Sequence, residues 1–317
     1  MRLEWRGTVK SIAGALALAA LLLVQAPAAA EAPAAPAPRA AAATAAPRPA
    51  IWLLEDEDTR IYLFGTTHMF PRGLRWRSAR LDAAIAEADE LVLETADEDE
   101  ISDETFASWM FMTKPVPILA RVSADRRPQL ERVVAASGLD AETWDRLYSW
   151  AAGMMVMATG LMENMTDEQR AGANPFDAMM TGAETELQEE FRRAGKPVSA
   201  VESSAFQINL LRGLPPPAQR AFLEMTLDDL ERDEAEGSEI PWVSGDVEAI
   251  AREMEGLPPV LYEPLLTARN RNWTEWLARR LDRPGTVLFA VGAGHLAGPR
   301  SVQTMLAARG LAARRID

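Results

Sequence analysis

Residues 51–68 read IWLLEDEDTRIYLFGTTH: an apolar strand, an acidic turn at Asp56 to Asp58, a second apolar strand, and then a Gly-x-x-His step ending at His68. The pattern predicts a β-hairpin whose second strand empties into a glycine turn. Behind it, RWRSARLDAAIAEADE (75–90) has helical spacing, with Leu81, Ala84, Ile85 and Ala88 on one face, and ELVLE (90–94) is a short buried strand ending at Glu94. Strand, helix, strand with short connections predicts parallel pairing through a right-handed crossover. The carboxyl ends of such strands are where α/β proteins place their ligands, so His68 and Glu94 are expected at one sheet edge.

The hairpin's second strand has a counterpart at the other end of the chain. TVLFAVGAGH (286–295) repeats the apolar run, the glycine and the histidine, and His68 and His295 are the only two histidines in 317 residues. A single histidine at a strand end is most simply structural; two in the same setting point to a shared site. Gly65 and Gly292 permit a close backbone approach there. Thr66 and Thr67 offer hydroxyls, though plain β-propensity accounts for them equally well.

A further strand end carries an acid. An amphipathic helix closing near Gly195 leads into PVSAVE (197–202), which delivers Glu202. A helix from about Pro259 to Leu281 runs into the last histidine strand and carries Arg269 and Asn270. Arg269 could hold a substrate carboxylate or an oxyanion, but on spacing alone a surface arginine is the plainer reading. SVQTMLAARG reads as a helix closed by Gly310, and LAARRI as a last edge strand. The predicted architecture is α/β: a mixed, mainly parallel central sheet flanked by helices, with a helical cap region over about 101–181.

That cap carries Trp109, Trp144, Trp150 and a run of methionines at Met154, Met155, Met157, Met162, Met165, Met179 and Met180. Thioethers can bind copper(I), but methionine on helices more often fills a pliable core. The acidic run from Asp228 to Glu239 lacks the ligand spacing of an EF-hand and reads as a solvated helix end and loop.

Arg2, Arg6 and Lys10 precede an apolar stretch from Ile12 to Val24 and then Ala28-Ala29-Ala30, the organisation of a secretory signal over residues 1–30. Its apolar run is short of the roughly 20 residues a spanning helix needs, so cleavage is expected over retention as an anchor. Residues 31–50, almost all Ala and Pro, read as a disordered linker, and 51–317 as one α/β domain. The expected product is exported, periplasmic or secreted, without stable membrane insertion. There is no cysteine, which excludes a disulfide framework, and the net charge of −14 excludes a nucleic-acid partner.

Two imidazoles and a carboxylate are a usual first shell for a divalent metal, and a metal-bound water is a nucleophile near neutral pH. The expected metal ligands are His68, His295 and Glu94, with Glu94, Glu202 and Arg269 as catalytic candidates. Acid and base work by histidine and glutamate without a metal stays open, and no Gly-x-Ser-x-Gly elbow points to a serine triad.

LFGTTH (63–68), LVLE ending at Glu94, GKPVSAVES around Glu202, RNRNW from Arg269 and VGAGHLAG (291–298) together resemble the TraB/GumN family, which is similar to the Tiki proteins. The resemblance covers nearly the whole chain after the leader. It implies an erythromycin-esterase-like α/β core and a metal-dependent peptidase activity using manganese or cobalt, with zinc a further option. His68 and His295 match the paired histidines, Glu94 the acidic partner, Arg269 a recurrent arginine and Glu202 a recurrent glutamate. Where many members have an aspartate soon after a glycine, this chain has Glu184 after Gly182, and Glu184 is left out of the expected site. The function expected is an exported metal-dependent hydrolase acting on a peptide or small molecule. The competing expectation is a non-catalytic binding protein that sequesters a peptide or haem in the same pocket; a role in envelope polysaccharide handling rests on the family name alone.

Overall fold

The computed structural model describes residues 46–96, 102–163, 180–231 and 240–317. Residues 1–30, expected as a secretory signal, and most of the Ala/Pro segment lie outside them. The fold takes hold just before the first strand, where the Arg48 amide donates to the Val243 carbonyl at 2.8 Å and Ala50 is buried.

The strands are β1 (Ile51–Glu55), β2 (Thr59–Thr66), β3 (Phe70–Pro71), β4 (Glu90–Leu93), β5 (Met180–Thr181), β6 (Val198–Ala200), β7 (Gly285–Gly292) and β8 (Arg314–Arg315). Six form one sheet in the order β6-β4-β7-β2-β1-β8, and β3 pairs with β5 in a separate two-stranded ribbon. The hairpin forms as expected, β1 against β2 antiparallel, and β8 is the edge strand. β2, β7, β4 and β6 are all parallel. The architecture is thus a mainly parallel sheet between helices.

The crossover is wider than the sequence order suggests. β2 and β4 run parallel but are not neighbours, because β7 lies between them and pairs with both. β7 is apolar on both faces: Leu288 and Ala290 pack with Phe64, Leu91 and Leu93 on one side, while Val287, Phe289 and Val291 pack with Leu63, Val92 and Trp273 on the other. A strand with no polar face belongs in the centre of a doubly covered sheet. Its position sets the two histidine strands side by side, with Thr66 opposite Gly292.

The region 102–163 is less continuously helical than expected. Its helices cover Asp103–Met110, Arg127–Ala136, Ala141–Arg146 and Ser149–Glu163, and a 3-10 turn spans Ile118–Arg121. They build a core of their own around Trp144, Trp150, Met154, Phe222 and Leu223, joined by the helices Ser204–Arg212 and Pro216–Leu230. Met154 is buried there, with Met155 and Met157 packed against it, the core-filling role; Met162 is exposed, and Met165 and Met179 lie outside the described residues. The expected cap ends not in helix but in β5, bonded to β3 just after His68. Among the described residues no helix is long and apolar enough to cross a membrane.

The helix expected over 259–281 is interrupted. Pro259–Tyr262 and Ala268–Arg280 are α-helical, and Glu263–Thr267 between them forms a π turn in which the Ala268 amide reaches back to the Glu263 carbonyl. Turns of this kind cluster at functional sites. Arg269 stands immediately after it.

Candidate functional site

Four parallel strand ends meet at the site, those of β2, β4, β6 and β7. The ladder between β4 and β6 continues past the strands, with the Val201 amide bonded to the Leu93 carbonyl at 3.0 Å and the Glu202 amide to the Glu94 carbonyl at 2.9 Å. This sets Glu94 and Glu202 side by side. Ser203 then caps the next helix, its hydroxyl accepting from the Phe206 amide, which ends the extended run.

Arg269 ties the cluster together. It is 1 % exposed, so the surface reading of this residue is overturned. Its Nη2 donates to Glu94 Oε2 at 2.5 Å and to Glu202 Oε2 at 2.8 Å, its Nε to Glu202 Oε1 at 3.0 Å, and its Nη1 to the Leu265 carbonyl in the π turn at 3.2 Å. Nη1 also lies 3.1 Å from His295 Nε2. A guanidinium can only donate, so Nε2 is the acceptor and the proton sits on Nδ1, which donates to Asn270 Oδ1 at 2.5 Å. The Asn270 amide nitrogen is spent on the Arg300 carbonyl at 2.8 Å, which fixes that orientation. Burial and then the Arg269 charge push the His295 pKa down to about 3, so this ring is neutral.

His68 has the opposite environment. Its Nδ1 lies 2.7 Å from Glu184 Oε1, an oxygen that also accepts from the Thr66 hydroxyl. Burial opposes a charge here, but the Glu184 carboxylate, its hydrogen bond and the charge of Glu94 outweigh it and raise the His68 pKa to about 9. Glu94 itself is held ionised: burial works against the charge, yet Arg269, both histidines and the Gly292 amide at 2.7 Å bring its pKa to about 2.

Gly292 marks the common centre. A Cβ there would stand 3.2 Å from Glu94 Oε1, 3.6 Å from His295 Cδ2 and 3.6 Å from His68 Nε2. The structure therefore brings His68, His295 and Glu94 together, with Arg269 against the last two. Glu202 is further engaged, its carboxylate taking Trp273 Nε1 at 2.9 Å and Gln207 Nε2 at 3.0 Å besides Arg269. It holds the guanidinium instead of facing the Gly292 centre.

Two imidazoles and a carboxylate have the chemistry to hold a divalent metal, but neither imidazole has a free lone pair. His295 Nε2 and Glu94 Oε2 accept from Arg269, Glu94 Oε1 from the Gly292 amide, and His68 is held protonated. Among the described residues no three such groups are placed to hold an ion. The expected ligands share a place, yet in this arrangement they do not fit a metal, because Arg269 supplies the positive charge at the centre.

Sequence reasoning missed Glu184, Trp273 and Gln207. Trp273 was legible, since it follows Arg269 by four residues on a helix and so shares its face; its ring lies 4.4 Å from that of His295. Glu184 carried one signal, its place after Gly182 where many family members have an aspartate, and was wrongly left out. Its place depends on the β3–β5 ribbon, two strands of two residues far apart in the chain.

The TraB/PrgY/gumN family model matches residues 50–315. The chain belongs to this family. Neither the curated proteins nor the solved structures give a match. The family match spans all four strand ends and the helix bearing Arg269, so the whole candidate site is built from the matched region.

Proposed function

We propose that this chain is an exported hydrolase of peptide amide bonds, with its reaction centre between His68, Glu94, His295 and Arg269. The observation that carries the reading is the convergence of three strand ends on Gly292, one contributing an imidazole backed by a carboxylate and another an imidazole backed by an amide. Family membership and the resemblance to Tiki peptidases support the substrate class, and the leader over residues 1–30 supports export.

Two like groups driven apart in pKa are a signature of divided acid and base roles. His68, protonated, offers Nε2–H to the scissile oxygen or the leaving nitrogen. His295, neutral, spends its Nε2 lone pair on Arg269, and Glu94 Oε1, 3.8 Å from that nitrogen, keeps a lone pair beyond the one given to the Gly292 amide. A water held on Glu94 Oε1 would be oriented by that acceptor, while the His68 Nε2–H faces the charge that develops on the substrate oxygen and Arg269 keeps Glu94 in its ionised form.

A peptide library incubated with the protein and read by mass spectrometry tests this. Cleavage after thorough chelation, lowered about 10²-fold or more in His68→Ala and His295→Ala, is the expected result. Full cleavage by a folded His68→Ala protein sinks the proposal. Cleavage restored only by manganese, cobalt or zinc supports a metal-dependent form in which the ion displaces Arg269 from His295, and saturable binding without product supports sequestration.

A further inference from the structure

We propose that Glu184 is the positioning residue for His68: it locks the ring with Nδ1–H turned inward and Nε2 turned to the Gly292 centre, and residues 180–184 are the device that delivers it. Its catalytic consequence rests on the hydrolase reading; the positioning itself does not.

The segment is stitched to the first histidine step at successive points. β5 pairs with β3, Thr181 opposite Phe70 and Met180 opposite Pro71. The Ala183 amide donates to the Thr67 carbonyl at 3.0 Å. At Gly182 the two backbones approach so closely that a Cβ would lie 2.5 Å from the His68 carbonyl oxygen, a contact no larger residue can make. The helix Ala183–Arg193 begins there, and its first turn presents Glu184.

What arrives is a carboxylate with one oxygen fixed from two sides, by Thr66 Oγ1 and by His68 Nδ1. Because a carboxylate only accepts, this oxygen selects the protonated face of the imidazole and leaves Nε2 for the reaction centre. Thr66 thereby acquires a role beyond β-propensity: its hydroxyl holds the carboxylate that holds the ring. Glu184 plays for His68 the part that Asn270 plays for His295, but with a full charge.

With only two histidines, ring protons can be followed one at a time. In the full chain labelled with ¹⁵N-histidine, and with signals assigned through His295→Ala, the His68 Nδ1 proton should give a slowly exchanging signal. Glu184→Ala should remove it and leave the His295 signal, held on Asn270, unchanged. Glu184→Gln should retain it, since the amide oxygen still accepts. In the peptide assay Glu184→Ala should lower kcat about 10²-fold with KM within about threefold, and Glu184→Gln should recover part of the loss.

Persistence of the His68 signal in folded Glu184→Ala overturns the proposal. If Glu184→Ala loses both signals through collapse of the site, Glu184→Gln decides: both signals present supports the assignment, and loss of the His68 signal overturns it. Absence of any turnover by the wild-type protein counts against the hydrolase reading alone, because the ring-proton measurement stands without it.

Discussion

The two Gly-x-x-His steps are alike in sequence and opposite in electrostatics. Both follow an apolar strand, both strands are central and parallel, and both histidines are buried. His68 meets a carboxylate and is charged; His295 meets an amide and a guanidinium and is neutral. The repeated motif therefore specifies position, while partners drawn from elsewhere in the chain specify protonation. The result is one charged and one neutral ring around a single centre, which two identical environments could not supply.

The most severe way to break this contrast is to remove Arg269, which adds to burial in keeping His295 neutral and holds Glu94 ionised. Arg269→Leu leaves two buried carboxylates without their counter-charge, and loss of one member of such a network costs about 3–5 kcal/mol. Urea unfolding should show that loss. Adding Glu94→Gln and Glu202→Gln to the same chain should recover a substantial part, because the uncompensated charge, not the missing volume, is the main penalty.

A gentler break uses pH. The His68 pKa is raised in the fold, so its contribution to stability is complete below the unfolded value near 6.5 and is lost as pH rises through about 9. The His295 pKa is lowered, so the unfolded chain takes up a proton that the fold refuses. Its contribution is complete above about 6.5 and is lost as pH falls toward 3. Urea midpoints measured near pH 5, 7 and 9 should thus fall on both sides of neutrality. His68→Gln should flatten the alkaline side and His295→Gln the acid side; the same side flattened by both variants would erase the contrast.

The legible part of the molecule was the part written in contiguous residues. The hairpin, the strand ends at Glu94 and Glu202, and the paired histidines all follow from short apolar runs and what stands after them. The place of β7 between β2 and β4 did not, since strand order in a sheet is set by which strand has two apolar faces to bury, and sequence order only hints at that. Arg269 was a candidate through the family resemblance but on spacing alone read as a surface residue, because helical spacing says nothing about a neighbouring pair of acids. Glu184, noticed only as standing where many family members have an aspartate, was set aside for a further reason: its contact with His68 depends on Gly182 having no side chain, and a glycine's need for space is not written beside it.

The finest test separates the two glycines of the repeated step. A Cβ at Gly65 would sit 3.0 Å from Ala293 Cα and 3.1 Å from its Cβ, so the turn after one histidine strand presses on the turn after the other. Backbone on both sides cannot give way easily, and Gly65→Ala should cost about 1–3 kcal/mol. Gly292 has backbone angles any residue can adopt, φ −49° and ψ 134°, and its Cβ would meet only side-chain atoms at 3.2 Å and beyond. Gly292→Ala should cost less than about 1 kcal/mol in a urea titration. Yet its methyl group would stand amid His68, Glu94 and His295, the space that peptide hydrolysis at this centre requires for the attacking water and the scissile carbon. A protein of near-native stability without peptide cleavage is the expected outcome. Undiminished cleavage by Gly292→Ala would move the reaction away from this centre, and with it the division of labour between the two histidines.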